Sequence, residues 1–194
     1  MAALTVKLLS LIREGESSPP VEGFTILNSS EIRRLIEERQ LITDFIDLEK
    51  QLQPSGFDLS VGEVLAYEEG GSVDFSNKER VIAQGRPLKP DRDGWYKLGP
   101  GCYTIVYNEV VRMSLDLAAI ARTRSTLLRN GASVGTAVWD PGYQGKSSSL
   151  LVVHNPHGMR IKRGARVVQL VFFRVGEVQE GYSGVFQNER MKKD

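Results

Sequence analysis

The sequence predicts a mainly β fold, an all-β barrel or sandwich with a few short helices, on three observations. From Phe57 onward, apolar runs of strand length recur at Phe57 to Tyr67, Ser72 to Phe75, Tyr103 to Tyr107, Ser133 to Trp139, Ser149 to His154 and Val167 to Phe173, the spacing of a sheet that folds back on itself. Between them stand Gly99-Pro100-Gly101, Pro141-Gly142 and Asn155-Pro156-His157-Gly158, residues that supply the backbone angles of chain reversals. Finally, 194 residues with 41% hydrophobic and 25% charged content are the composition of one soluble globular domain, long enough to bury a core.

Taken in order, Ala2 to Ile12 is mildly apolar. It is interrupted by Lys7, lacks a small-residue cleavage site and is too short to span a bilayer, so neither an export signal nor a transmembrane helix is read there. Arg13 to Gly23 carries Gly15, two serines and Pro19-Pro20, a linker composition. Residues 1–23 are therefore expected to be a flexible arm and residues 24–175 the folded body. Ser30 is the expected N-cap of a short helix through Arg39, on which Ile32, Leu35 and Ile36 share a face. Pairs Arg33 with Glu37 and Arg34 with Glu38 describe its solvated side. Residues 176–194 contain Tyr182 and Phe186 without a periodic pattern and are expected to be a mobile tail.

Charge and cysteine content exclude several functions. With 25 Lys+Arg against 24 Asp+Glu the formal net charge is +1, which argues against polymeric nucleic acid or an anionic membrane as partner. A small polyanion held by a few local cations remains open. Cys102 stands alone, so no intramolecular disulfide forms, and His154 and His157 do not complete a zinc set with it. A reducing cytoplasm is the expected compartment.

Three segments carry candidate chemistry. Arg124-Ser125-Thr126-Leu127-Leu128-Arg129-Asn130-Gly131 sets a cation and two hydroxyls at the start of a short helix that Gly131 can stop, an arrangement suited to phosphate. The alternative is that Ser125 only caps the helix. Trp139-Asp140-Pro141-Gly142-Tyr143 places a carboxylate and an aromatic ring around a Pro-Gly turn, where a sugar ring would rest on Tyr143 while Asp140 orients a water. The alternative is an ordinary turn. Asp58, in Pro54-Ser55-Gly56-Phe57-Asp58-Leu59, is a lone carboxylate that would suit a hard cation through water, or again a turn residue.

The order of these pieces resembles the trimeric dUTPase and dCTP deaminase superfamily over about Ile26 to Gln187. Its four motifs are similar to Pro54-Ser55-Gly56-Phe57-Asp58-Leu59-Ser60-Val61-Gly62, Arg124-Ser125-Thr126, Asp140-Pro141-Gly142-Tyr143-Gln144-Gly145 and Gly164-Ala165-Arg166-Val167-Val168-Gln169-Leu170. The helix near Ser30 and the Gln53-Pro54 entry resemble the deaminase branch, and the whole is most similar to its archaeal-type dUTPases. The resemblance implies a distorted jelly-roll-like β-barrel, homotrimers with sites between subunits, dUTP as substrate and Mg2+ as cofactor. It implies that Asp58 helps hold magnesium through waters, that Arg124, Ser125, Thr126, Arg129 and Gln169 bind phosphate, and that Asp140 orients the hydrolytic water. Tyr143 would pack against the deoxyribose, and Tyr182 and Phe186 would close over the nucleoside. The cation that ordinarily precedes the tail aromatic is Val185 here, with Arg190, Lys192 or Lys193 as replacements.

One position divides the superfamily's two chemistries. The deaminase glutamate, which moves protons between water and the base, falls ten residues after the third-motif aspartate, and that residue is Leu150. Neither Asp nor Glu occurs between Pro141 and Gly176. General acid–base catalysis contributes about 10²- to 10⁴-fold, so its loss leaves hydrolysis of dUTP to dUMP and pyrophosphate as the expected reaction. The alternatives are a dCTP deaminase or bifunctional enzyme with an unusual base, a nucleotide-sensing regulator without turnover, and an interaction module without a nucleotide site.

Overall fold

A computed structural model describes residues 25–176 and 178–191. The expected arm at 1–23 lies outside the described residues, as do Lys192 and Lys193.

Helix α1 (Ser29–Arg39) begins at Asn28, whose side-chain oxygen accepts the Glu31 N–H at 3.0 Å while the Glu31 carboxylate accepts the Asn28 N–H at 3.1 Å. This corrects the cap expected at Ser30. An amide followed three residues later by a glutamate satisfies two N–H groups reciprocally, whereas Ser30 is followed by Arg33. Ile32, Leu35 and Ile36 are buried as their spacing requires. Arg34 pairs with Glu38 at 3.7 Å, but Arg33 turns to Glu49 in a two-pronged pair of 2.9 and 2.8 Å.

The chain continues through β1 (Ile42–Thr43), α2 (Leu48–Gln51), β2 (Leu52–Gln53), β3 (Gly56–Tyr67), β4 (Gly85–Pro87), β5 (Trp95–Leu98), β6 (Gly101–Tyr107), β7 (Val110–Arg112) and β8 (Leu117–Thr123). Then follow α3 (Ser125–Arg129), β9 (Ala132–Gly135), β10 (Gln144–Gly145), β11 (Ser148–Val153), β12 (Met159–Lys162) and β13 (Arg166–Arg174). The main sheet runs β8-β13-β3-β6-β11-β9, and β2 and β4 also pair with β3. Smaller sheets join β1-β7-β10 and β5-β12.

The outer strands of the main sheet meet. Thr123 Oγ1 donates to the Val134 carbonyl at 3.0 Å and accepts the Val134 N–H at 2.9 Å, a double role open to a hydroxyl. Further along, Ala119 and Trp139 exchange both backbone bonds at 2.9 Å. The sheet thereby nearly closes into a barrel and leaves few free edges. Inside lie Phe57, Leu59 and Val61, with Leu170 opposite Phe57 and Val168 opposite Leu59. Tyr107, Ala119 and Leu151 complete this interior.

On its other face β3 carries Asp58 and Ser60, which are buried all the same. Glu109 reaches Ser60 and Gln51: it accepts the Ser60 N–H at 2.9 Å, the Ser60 hydroxyl at 2.6 Å and the Gln51 amide at 2.6 Å. Gln51 also donates to the Asp58 carbonyl at 2.9 Å, tying α2 to the first motif.

The run Ser72 to Phe75 does not form a strand. It makes one bridge, Ser72 with Val81, and Phe75 is fully exposed. The Asp74 carboxylate instead accepts the N–H groups of Ser76, Lys78 and Glu79, a loop closed by its own side chain. The run Ser133 to Trp139 is strand only as far as Gly135. Among the described residues no helix is long and apolar enough to cross a membrane.

Candidate active site

Asp140-Pro141-Gly142-Tyr143 forms a tight turn in which the Tyr143 N–H donates to the Asp140 carbonyl at 3.1 Å. Proline at the second position and Gly142 at φ 82° are what a type II turn requires. The turn buries the Tyr143 ring beside Trp139 and leaves the Asp140 carboxylate exposed, without a partner among the described residues. Trp139 Nε1 donates to Ser147 Oγ at 3.0 Å, which fixes the indole as a wall. Asp140, Trp139 and Tyr143 line a cavity of about 350 Å³ together with Tyr182, Phe186 and Glu189. That volume lies within the range of small-molecule sites, about 300–1,000 Å³.

Tyr182, Phe186 and Glu189 bring the tail into this wall. The Tyr182 N–H donates to the Pro141 carbonyl at 2.7 Å, the Asn188 N–H to the Gln144 carbonyl at 2.7 Å and the Lys146 N–H to the Glu189 carbonyl at 3.0 Å. Gln187 accepts the Gln144 N–H and donates to the Gly142 carbonyl. A Cβ at Gly142 would stand 2.8 Å from the Gly181 Cα, so the glycine serves the close approach of the tail as well as the turn. Tyr182 meets Tyr143 edge to face at 5.7 Å between ring centres.

Glu189 is a pocket carboxylate that the sequence reading missed. Tyr143 Oη donates to its Oε1 at 3.0 Å and Arg190 pairs with its Oε2 at 2.9 Å. Burial pushes this carboxyl up, against the pull of Tyr143 and Arg190. Glu189 also lines a neighbouring groove with Leu150. A carboxylate therefore reaches the surroundings of position 150 from outside the stretch Pro141 to Gly176, but both of its oxygens are engaged. Its place is set by the fold rather than by a local pattern: at Gly145 a Cβ would lie 3.2 Å from the Glu189 Cγ, so the glycine leaves room for it.

The residues expected at phosphate form a second group. Arg124 is the N-cap of α3 and its N–H donates to the Val167 carbonyl at 2.9 Å. No side chain caps this helix, so Ser125 is not the capping residue; its hydroxyl, that of Thr126 and the Arg129 guanidinium are exposed and unpartnered among the described residues. Arg124 Nε approaches Asp58 Oδ2 at 3.3 Å, and Arg166 Nη1 donates to the same oxygen at 3.1 Å. Gln169 stands opposite Asp58 in the β13–β3 register and lies over Gly56, where a Cβ would meet its amide nitrogen at 2.9 Å. None of Asp58, Arg124, Ser125, Thr126, Arg129 or Gln169 lines the cavity at Asp140.

Asp58 does not fit the magnesium role expected of it. Its side chain is 1% exposed, burial pushes its carboxyl up against the pull of Arg124 and Arg166, and two guanidinium groups occupy the place of a cation. Magnesium prefers carboxylate oxygens and keeps several waters, and at Oδ2 it would have to compete with two guanidinium groups already in place. Among the described residues no three His, Cys, Asp or Glu side chains gather to hold a metal.

A family model described as dCTP deaminase-like matches residues 26–175. A probable deoxyuridine 5'-triphosphate nucleotidohydrolase of Methanosarcina barkeri is 47% identical over 170 residues, 87% of this chain and 99% of that protein. Its namesake from Archaeoglobus fulgidus is 46% identical over 166 residues, 86% and 98% of the two chains. The crystal structure of 2'-deoxycytidine 5'-triphosphate deaminase from Agrobacterium tumefaciens superposes with a TM-score of 0.57 at 20% identity, over 78% of this chain and 49% of that one, a likeness of fold. With the four motifs on one nearly closed barrel and this match across the body, the chain belongs to the dCTP deaminase-like family.

Proposed function

We propose that this chain hydrolyses dUTP to dUMP and pyrophosphate. The observation that carries the reading is Asp140, an exposed carboxylate without a partner among the described residues, at the rim of a cavity sized for a nucleoside. The relatives at 46–47% identity, named for that activity, support the same substrate. Water oriented by Asp140 attacks the α-phosphorus in line, the bond from that phosphorus to the bridging oxygen breaks, and pyrophosphate leaves. Phosphoryl transfer asks mainly for positioning and charge stabilisation, the work assigned to Arg124, Ser125, Thr126, Arg129 and Gln169. Tyr143 supports the deoxyribose, and Tyr182 and Phe186 close the nucleoside side. The substrate is the magnesium complex of dUTP, the ion arriving on the nucleotide. The free, exposed Cys102 suits a reducing cytoplasm.

The separation of the phosphate group from the Asp140 cavity supports a site completed by a second copy of the chain, and with it the homotrimer. Light scattering is expected to give the mass of three chains. A monomer with full activity would overturn this assembly.

Deamination of dCTP is the second reading, favoured by Glu189 in the same cavity. Against it stand Leu150 and the engagement of both Glu189 oxygens by Tyr143 and Arg190. One assay separates the two: pyrophosphate release and base identity from dUTP, dCTP and dTTP in parallel. Pyrophosphate from dUTP alone is the expected result, and a uracil product from dCTP would replace the reading with deamination. A pocket whose hydrogen-bond donors and acceptors match uracil discriminates by about 10⁴ or more, so the contrast with dCTP should be plain.

A further inference from the structure

Asp58 lies at the centre of a charge cluster drawn from three separate stretches of chain: its own strand β3, Arg124 before α3, and Arg166 at the start of β13. We infer that Asp58 is a positioning residue holding two guanidinium groups as a paired phosphate clamp, and that Arg166 is a second triphosphate-binding cation beside Arg124. This rests on the dUTPase reading above.

A structural ion pair needs one cation, and here two share one carboxylate oxygen, leaving a local excess of one positive charge. Two guanidinium groups repel each other, so holding both near one place requires the intervening carboxylate. The centre is closed while the rim is open: the side chain of Asp58 is 1% exposed, those of Arg124 and Arg166 28% and 34%. Each guanidinium carries five N–H donors in a flat fork that matches phosphate. Arg124 presents Nε to Asp58, and its two terminal nitrogens have no partner among the described residues. Arg166 commits Nη1 to Asp58 and to the Lys50 carbonyl, leaving Nε and Nη2 unpartnered among the described residues. The unpartnered hydroxyls of Ser125 and Thr126 follow Arg124 directly in the chain. The cluster is thus built to receive negative charge, and a magnesium ion placed against Asp58 would meet two guanidinium groups.

Calorimetric binding of α,β-imido-dUTP, a non-hydrolysable analogue, and of deoxyuridine tests this in EDTA and again with Mg2+, using the wild-type chain, Arg166→Gln, Arg166→Lys and Asp58→Asn. Arg166→Gln is expected to weaken the triphosphate about 10- to 100-fold, the worth of one charged hydrogen-bonding group. Deoxyuridine should bind unchanged, and Arg166→Lys should recover only part of the loss because it keeps the charge without the fork. Asp58→Asn is expected to weaken the triphosphate by the same factor with and without magnesium. Wild-type affinity in Arg166→Gln, or an Asp58→Asn loss confined to the magnesium samples, would overturn the inference. If Asp58→Asn does not fold, the two Arg166 variants decide. A wild-type chain that binds neither ligand would remove the dUTPase reading itself, an outcome distinct from unaltered binding by the variants.

Discussion

Asp140→Asn is expected to lower kcat on dUTP by about 10²- to 10⁴-fold, the contribution of a group that orients and deprotonates water, while the nucleotide still binds. The substitution preserves the turn, because the hydrogen bond that closes it runs from the Tyr143 N–H to the backbone carbonyl of residue 140. The shape of the cavity is held by Trp139 on Ser147 and Tyr143 on Glu189, neither of which touches the Asp140 carboxylate. Loss of turnover can therefore be separated from loss of binding. Pyrophosphate release measures the first and calorimetry with α,β-imido-dUTP the second. Turnover near wild type would remove Asp140 from its role.

Glu109→Ala is expected to cost about 3 kcal/mol or more of folding stability, since each buried polar group left unsatisfied costs about 1–3 kcal/mol. Three donors lose their acceptor: the Ser60 N–H, the Ser60 hydroxyl and the Gln51 amide. Glu109 is fully buried with no cation paired to it among the described residues, and burial pushes its carboxyl up against the hydrogen bonds from Ser60 and Gln51. A carboxyl raised on folding holds its proton more tightly in the native than in the unfolded chain. Its contribution is therefore fully present below the ordinary carboxylate value and is lost as pH rises through the raised native one. Urea midpoints measured across that window should fall with pH in the wild-type chain and fall less in Glu109→Gln. Asp58 and Glu189 are raised in the same direction and keep part of the slope. A midpoint for Glu109→Ala equal to wild type would show that the network adds nothing.

Strands β6 and β13 were legible as runs rich in β-branched and aromatic residues, and β3 and β11 as apolar stretches of strand length bounded by turn residues, with burial agreeing. Strand β8 was missed: Leu117, Ala119 and Ala121 fill its buried positions, and alanine has little strand preference of its own. Pairing with β13 along its whole length makes it a strand. The paired strands β5 and β12 are four residues each and carry Lys97, Arg160 and Lys162 on exposed positions, so their pattern is weak until one lies beside the other. Ser72 to Phe75 had the pattern but found no partner strand.

The candidate site divides along the same line. The Asp-Pro-Gly-Tyr turn and the cation-hydroxyl start of α3 are local, set by residues within four positions of each other, and were read from the sequence with their residue numbers. The company each side chain keeps is not local. Arg166 reaches Asp58 across 108 positions and Tyr143 reaches Glu189 across 46. By itself, then, the sequence determined the β class, the turns, the order of the motifs and the family they resemble, because backbone preference and hydrophobic alternation act between neighbours. Only the tertiary structure decided that Asp58 faces two guanidinium groups and that the tail supplies Glu189 to the cavity. Those outcomes depend on which distant strands pair and in which register, where a shift of one residue would turn every side chain to the opposite face.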